Sequence, residues 1–98
     1  MIIEQVLTAL ETATGPVVKV LQQNTQFKVI VLGFKKGMVL KEHDTDVNTN
    51  LVVIQGKVEY RGADSNVVLN KFDEINIALK VLHSVVALED SICFLIKG

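Results

Sequence analysis

The sequence predicts an all-β barrel behind one short helix. Three observations carry that expectation. Short apolar runs alternate with turn signals at a spacing of roughly 8–12 residues, the rhythm of sandwiches and barrels. The aliphatic residues are mostly Val, Ile and Leu, which suit pleated, half-buried surfaces. After Thr14 no convincing helical period survives.

Taken in order, Met1–Thr14 places Ile3, Val6, Leu7 and Leu10 at helical spacing, with Glu4 and Glu11 among the polar positions. Gly15-Pro16 ends it, because proline cannot continue a helix and glycine takes the left-handed cap. This helix is expected either to pack across a face or mouth of the barrel or to make a dimer contact. Val17–Leu21 is a first strand and Phe27–Phe34 (FKVIVLGF) a strong second, with Gly33 marking a bulge or a close backbone approach. Met38–Glu42 carries the chain into the central stretch; Leu51–Gln55, Lys57–Tyr60, Asn66–Leu69 and the alternating Glu74–Ile77 follow as strands, and a loop or short strand leads through 78–82 to His83. Ser84–Leu88 and Ile92–Ile96 form a last hairpin across Glu89-Asp90-Ser91. The length predicts one domain over 1–98, with the helix in 1–15 and the barrel in 17–97.

Composition excludes several functions. Ten basic against eleven acidic residues give a net charge of −1, and no basic block exceeds Lys35-Lys36, so no nucleic-acid footprint is expected. No apolar run approaches the ~20 residues of a membrane helix. The first residues carry Glu4 and Glu11 and no basic region, unlike a secretory signal. With a single cysteine, Cys93, this predicts a cytoplasmic protein without an internal disulfide. The chain is 49% hydrophobic with a mean hydropathy of +0.37, and so much apolar surface on a small chain predicts self-association. There is no phosphate loop, paired-cysteine zinc pattern or nucleophile elbow.

The centre of the chain is Gly37–Gly56, GMVLKEHDTDVNTNLVVIQG. It resembles the first motif of the cupins: a glycine, five residues, His-x-His, a short spacer, a glutamate, six residues and a glycine. Gly37, His43 and Gly56 match; Thr45 stands for the second histidine and Thr49 for the glutamate. The second cupin motif sets a proline and a glycine shortly before a histidine. Here Ala78 and Lys80 take those places and His83 matches, while Ala87 replaces an asparagine. Phe72-Asp73 stands where the family often has Gly-Asp. The resemblance spans about 27–97 and implies a cupin-like double-stranded β-helix, a jelly-roll barrel, paired into homodimers through edge strands.

The resemblance also implies a divalent metal held by three histidines and a glutamate. In a regular strand His43, Thr45 and Thr49 share a face, and the family's geometry puts His83 opposite. Two imidazoles leave Zn, Ni, Fe, Mn or Cu mostly water-ligated, and threonine hydroxyls are poor ligands. Asp44 and Asp46 have the wrong parity, although a bulge could turn Asp46 inward. His43, Thr45, Thr49 and His83 are therefore expected to line a pocket for a small ligand, with His43 and His83 an incomplete metal pair. A histidine pair could also act in acid–base chemistry near neutral pH. Cys93, between Ile92 and Phe94, reads as a core residue, and Tyr60 and Arg61, beside a turn, as surface. Three functions stay open: a small-ligand or empty barrel without a complete metal site, a metal-dependent dioxygenase or isomerase using His43 and His83, and a regulatory interaction module.

Overall fold

The computed structural model describes residues 1–41, 47–63, 65–77, 79–80 and 82–98. Within them lie one helix, α1 (Ile2–Leu10), and nine strands. The strands are β1 (Val17–Gln23), β2 (Lys28–Phe34), β3 (Val39–Lys41), β4 (Thr49–Gln55), β5 (Val58–Arg61), β6 (Asn66–Leu69), β7 (Glu74–Ile77), β8 (Ser84–Ala87) and β9 (Ser91–Lys97).

The pairing is nested. β2 pairs with β9, β3 with β8, β4 with β7 and β5 with β6, all antiparallel. The barrel chain is thus one long hairpin, folded at the β5–β6 turn and rolled into two sheets, which is a jelly roll. Lateral pairs β4–β9 and β5–β8 complete the sheets, in the orders β1-β2-β9-β4-β7 and β3-β8-β5-β6.

Two apolar clusters follow from strand alternation. Ile30, Leu32 and Phe34 of β2 point inward with Leu51, Val53, Val58, Leu69, Val85, Cys93 and Leu95, filling the space between the sheets. Val31 and Ile92 point outward and meet Val6 and Leu10 of α1. β2 therefore reads as a nearly continuous apolar run because it is covered on both faces, by the lumen and by the helix. The helix lies on the outer face of the larger sheet, which settles its place on one face of the barrel.

The helix is shorter than the expected 1–15, and its buried stripe differs. Beyond Leu10 the chain tightens into i→i−3 bonds: Glu11 N–H to Thr8 O at 3.2 Å, Thr12 N–H to Ala9 O at 3.3 Å and Ala13 N–H to Leu10 O at 3.4 Å. β-branched Thr12 and Thr14 favour helix weakly there. Val6 and Leu10 are buried and Ile2 and Ala13 pack beside them, while Ile3 and Leu7 are exposed.

Two glycines are explained by close approach. A Cβ on Gly33 would collide with Val6 Cγ1 and lie 2.9 Å from Leu10 Cδ1, so the glycine lets α1 sit down on β2. Gly56, at φ +88°, would set a Cβ against Asp90 O and Ser91 Oγ, where the β4–β5 turn meets the start of β9. Ser91 is buried there and accepts a hydrogen bond from Lys57 N at 3.0 Å.

Among the described residues, the non-glycine positions with positive φ are Phe72 (73°) and Lys80 (57°). Both stand where the cupin resemblance places glycine, so the left-handed backbone is present without the residue that adopts it freely. The turn at Phe72 is held by its neighbours: Phe72 N donates to Val53 O at 2.7 Å, Val53 N to Asp73 O at 3.0 Å, and Asn70 N to Asp73 Oδ2 at 2.8 Å. Phe72 is 73% exposed, and its ring makes a solvent-facing contact with Lys71 Nζ, 5.0 Å from the centroid, that Phe72→Gly gives up. A left-handed non-glycine residue costs roughly 1–2 kcal/mol, and glycine's extra unfolded-state freedom offsets about 0.5–1 kcal/mol of the gain. Lys80→Gly is expected to raise unfolding stability by about 0.5 kcal/mol, and Phe72→Gly by less because of the lost Lys71 contact, each read as a higher urea midpoint with unchanged slope.

Candidate functional site

One end of the barrel carries Thr49 and His83, the described residues of the sequence-predicted site. Lys41, Ser84 and Arg61 lie in cross-strand register where β3 and β5 end and β8 begins. Thr49 opens β4 opposite Ile77, the last residue of β7. His83 immediately precedes β8. These strand ends form the mouth.

Thr49 lies on the inward face of β4 with Leu51 and Val53 and is 2% exposed. Its hydroxyl donates to Val47 O at 3.0 Å, closing a tight turn into the strand. His83 is 6% exposed and stacks on Tyr60, with ring centroids 5.5 Å apart and planes 27° from parallel. Tyr60 lies on the inward face of β5 with Val58, paired across to Val85. Burial raises the Tyr60 phenol above its ordinary value of 10.0 by desolvation. The mouth thus presents an imidazole laid against a phenol over an aliphatic floor.

The structure brings Thr49 and His83 to the same end of the barrel. His43 and Thr45, with Asp44 and Asp46, lie outside the described residues. The shared face of His43, Thr45 and Thr49 is conditional on a regular strand; Val47 and Asn48 are not in strand, and β4 starts at Thr49. Tyr60 corrects the surface expectation, being buried against His83. The Val58/Tyr60 alternation in KVEY held the signal for an inward tyrosine, but proximity to the Arg61-Gly62 turn outweighed it. Arg61 is exposed, its Nε 2.6 Å from Glu59 Oε1. Cys93 is fully buried among the lumen residues, as expected of a core thiol.

The donor set does not fit the metal site that the cupin resemblance implies. The carboxylate position is Thr49, whose hydroxyl is neutral and already donating to Val47 O, and neutral hydroxyls bind first-row cations weakly. Among the described residues no group of three or more His, Cys, Asp or Glu side chains could hold a metal ion. No helix among these residues is long and apolar enough to cross a membrane.

Comparison with solved structures identifies the architecture. An RmlC-like cupin protein from Desulfovibrio desulfuricans superposes with a TM-score of 0.77 at 22% identity, over 86% of this chain and 82% of that one. A cupin-like protein from Thermotoga maritima gives 0.78 at 24% identity, over 87% and 70%. KdgF from Halomonas sp. gives 0.78 at 20% identity, over 88% and 82%. No family model matches the chain, and no curated protein matches it. The chain has the cupin fold, a jelly-roll barrel with an added N-terminal helix and edge strand.

Desolvation pushes the Cys93 thiol up to about 12 from an ordinary 9.0. The unfolded thiol ionises near 9 while the folded one stays protonated, so its contribution to stability is full below pH 9 and is lost as pH rises towards 12. Cys93→Ala is expected to flatten the fall in stability with pH across that window. In the wild type, a thiol reagent at pH 8 should label Cys93 no faster than the chain unfolds.

Proposed function

We propose that the chain binds a small polar-headed molecule at the barrel mouth, between His83, Tyr60 and Thr49, with His43 and Thr45 as further pocket residues on the cupin resemblance, without a complete metal site. The observation that carries this reading is the His83–Tyr60 stack. An imidazole and a phenol, both nearly buried, lie at one end of an otherwise apolar barrel core. Groups of that kind cost desolvation energy in a core and are expected where they meet a ligand or hold one another. Below them the lumen is occupied by Leu32, Phe34, Leu51, Val53 and Val85, so the ligand sits at the mouth and not deep between the sheets. His83 supplies an imidazole edge for hydrogen bonding, Tyr60 an apolar face with a hydroxyl, and Thr49 a polar edge.

A fragment library of small carboxylates, polyols and amides, followed by amide shift changes, tests this. Shifts clustered at Thr49, Tyr60, Ile77 and Ser84, weakened at least tenfold by His83→Ala, are expected. Hits confined elsewhere contradict the reading. Elemental analysis after addition of Zn, Ni, Fe, Mn or Cu belongs to the same test. Well under one metal per chain is expected, and near one per chain would favour the metal-dependent enzyme instead.

The chain is also proposed to pair with a second copy. β1 is the outermost strand of its sheet and carries exposed Val18, Val20 and Leu21. Apolar edge strands invite strand pairing unless covered. Light scattering is expected to give twice the chain mass at about tens of micromolar, in the range of moderate association, and Val20→Lys should return the monomer.

A further inference from the structure

A second cleft lies at the end of the barrel away from His83. Phe34 ends β2 opposite Ser91, and Gln55 ends β4 opposite Ile92, so these residues mark the far end from Thr49 and Lys97. Between that end and the C-terminal half of α1 is a cavity of about 180 Å³. Its floor and walls are Leu7, Leu10, Phe34 and Ile92. Leu10, Phe34 and Ile92 are buried, while Leu7 stays 47% exposed at the rim, an apolar side chain with area left to bury.

The polar rim is fixed and carries both signs. Asp90 Oδ1 accepts from Lys36 N at 2.8 Å, and Ser91 Oγ donates to Glu89 O at 2.7 Å, so the turn bearing Asp90 is held in place. Glu11 and Asp90 bring two carboxylates to the cavity. The cation lining it is Lys35, whose Nζ donates to Glu11 O at 3.2 Å and is thereby engaged with the end of the helix. The last turn of α1 has no basic residue, so the negative end of its dipole faces the cleft with that one lysine contact. Nearby, Lys57 and Glu89 pair at 3.8 Å and cancel each other. The balance favours a cation.

Size limits the ligand. A cavity of ~150 Å³ takes a benzene ring, so this one takes a single ring or a short branched chain with a brief arm reaching the carboxylates. The geometry points to the α1–β9 cleft as a binding site for a small aryl- or alkylammonium ion, separate from the barrel mouth. It goes beyond the mouth reading and does not depend on it.

The test is an amide shift titration of the full chain with 2-phenylethylammonium, set against its anionic isostere 3-phenylpropionate. The ammonium is expected to shift Leu7, Leu10, Asp90 and Ile92 saturably, with a dissociation constant on the order of 1 mM for a ligand of about nine heavy atoms. The carboxylate should bind roughly 3- to 10-fold more weakly, the range of exposed charge pairs. Glu11→Lys, at an exposed position, should bring the two ligands within about 2-fold of each other. Leu7→Phe, which extends into the cleft from its rim, should weaken the ammonium at least tenfold. Equal affinity for both ligands, shifts centred on Tyr60 and Ser84, or no saturation by about 50 mM (well past the expected constant) each overturns the proposal.

Discussion

The structure depends on where β9 is seated. This last strand of the chain lies between β2 and β4, both far earlier in sequence, and pairs along its length with each. Its two faces serve two clusters: Cys93 and Leu95 enter the lumen while Ile92 meets the helix. Its first residue, Ser91, is locked against the β4–β5 turn through Lys57 N and the bare backbone of Gly56. Until β9 is in place, β2 and β4 have no common neighbour, and the nested pairs cannot close into sheets. Contacts of such sequence separation carry a loop-closure cost that local pairing cannot repay, so the apolar density of ICFLI is what the fold requires there.

The same seating separates two chemical environments. At one end, strand ends gather Thr49, Tyr60 and His83 over an aliphatic floor. At the other, the end of the helix, Phe34 and Ile92 border a small cleft with a charged rim. Neither end disturbs the core between them, because alternation along β4, β5 and β9 keeps polar side chains off the inward face except at the strand ends, Thr49 and Tyr60 at the mouth and Ser91 at the far end. Function in this fold is therefore a matter of which groups the strand ends carry, while the barrel itself is indifferent to them.

Much of this was legible in the sequence, for identifiable reasons. Strand alternation and turn residues located most of the strands to within a few residues, since each has an inward set that must be apolar, whereas the three-residue β3 is too short to show a period. Gly33 was readable as a close approach because a glycine inside FKVIVLGF otherwise weakens the strand. Tyr60 was not readable as buried: its alternation with Val58 said inward, but the adjoining turn said surface, and only the facing His83 ring decides between them. Phe72 and Lys80 hide their left-handed backbone, since neither residue type signals positive φ; the cupin resemblance marked both places as glycine positions. The α1 stripe was misread by one residue because Ile2, Ile3, Val6, Leu7 and Leu10 fit two overlapping helical faces, and the sheet selects the one containing Ile2. The cleft under Leu7 has no sequence signal, since its lining comes from α1, β2, β4 and the turn before β9, brought together only by the fold.

The proposed mouth site rests most directly on the contact between His83 and Tyr60. Proton spectra of the His83 ring test it. Stacking at 5.5 Å should move the imidazole carbon-bound protons upfield through the phenol ring current, with cross-relaxation to the Tyr60 ring, and Tyr60→Leu should abolish both effects. Imidazole protons at ordinary positions in the wild type, with no cross-relaxation to Tyr60, would contradict the account and leave the barrel mouth without its defining pair.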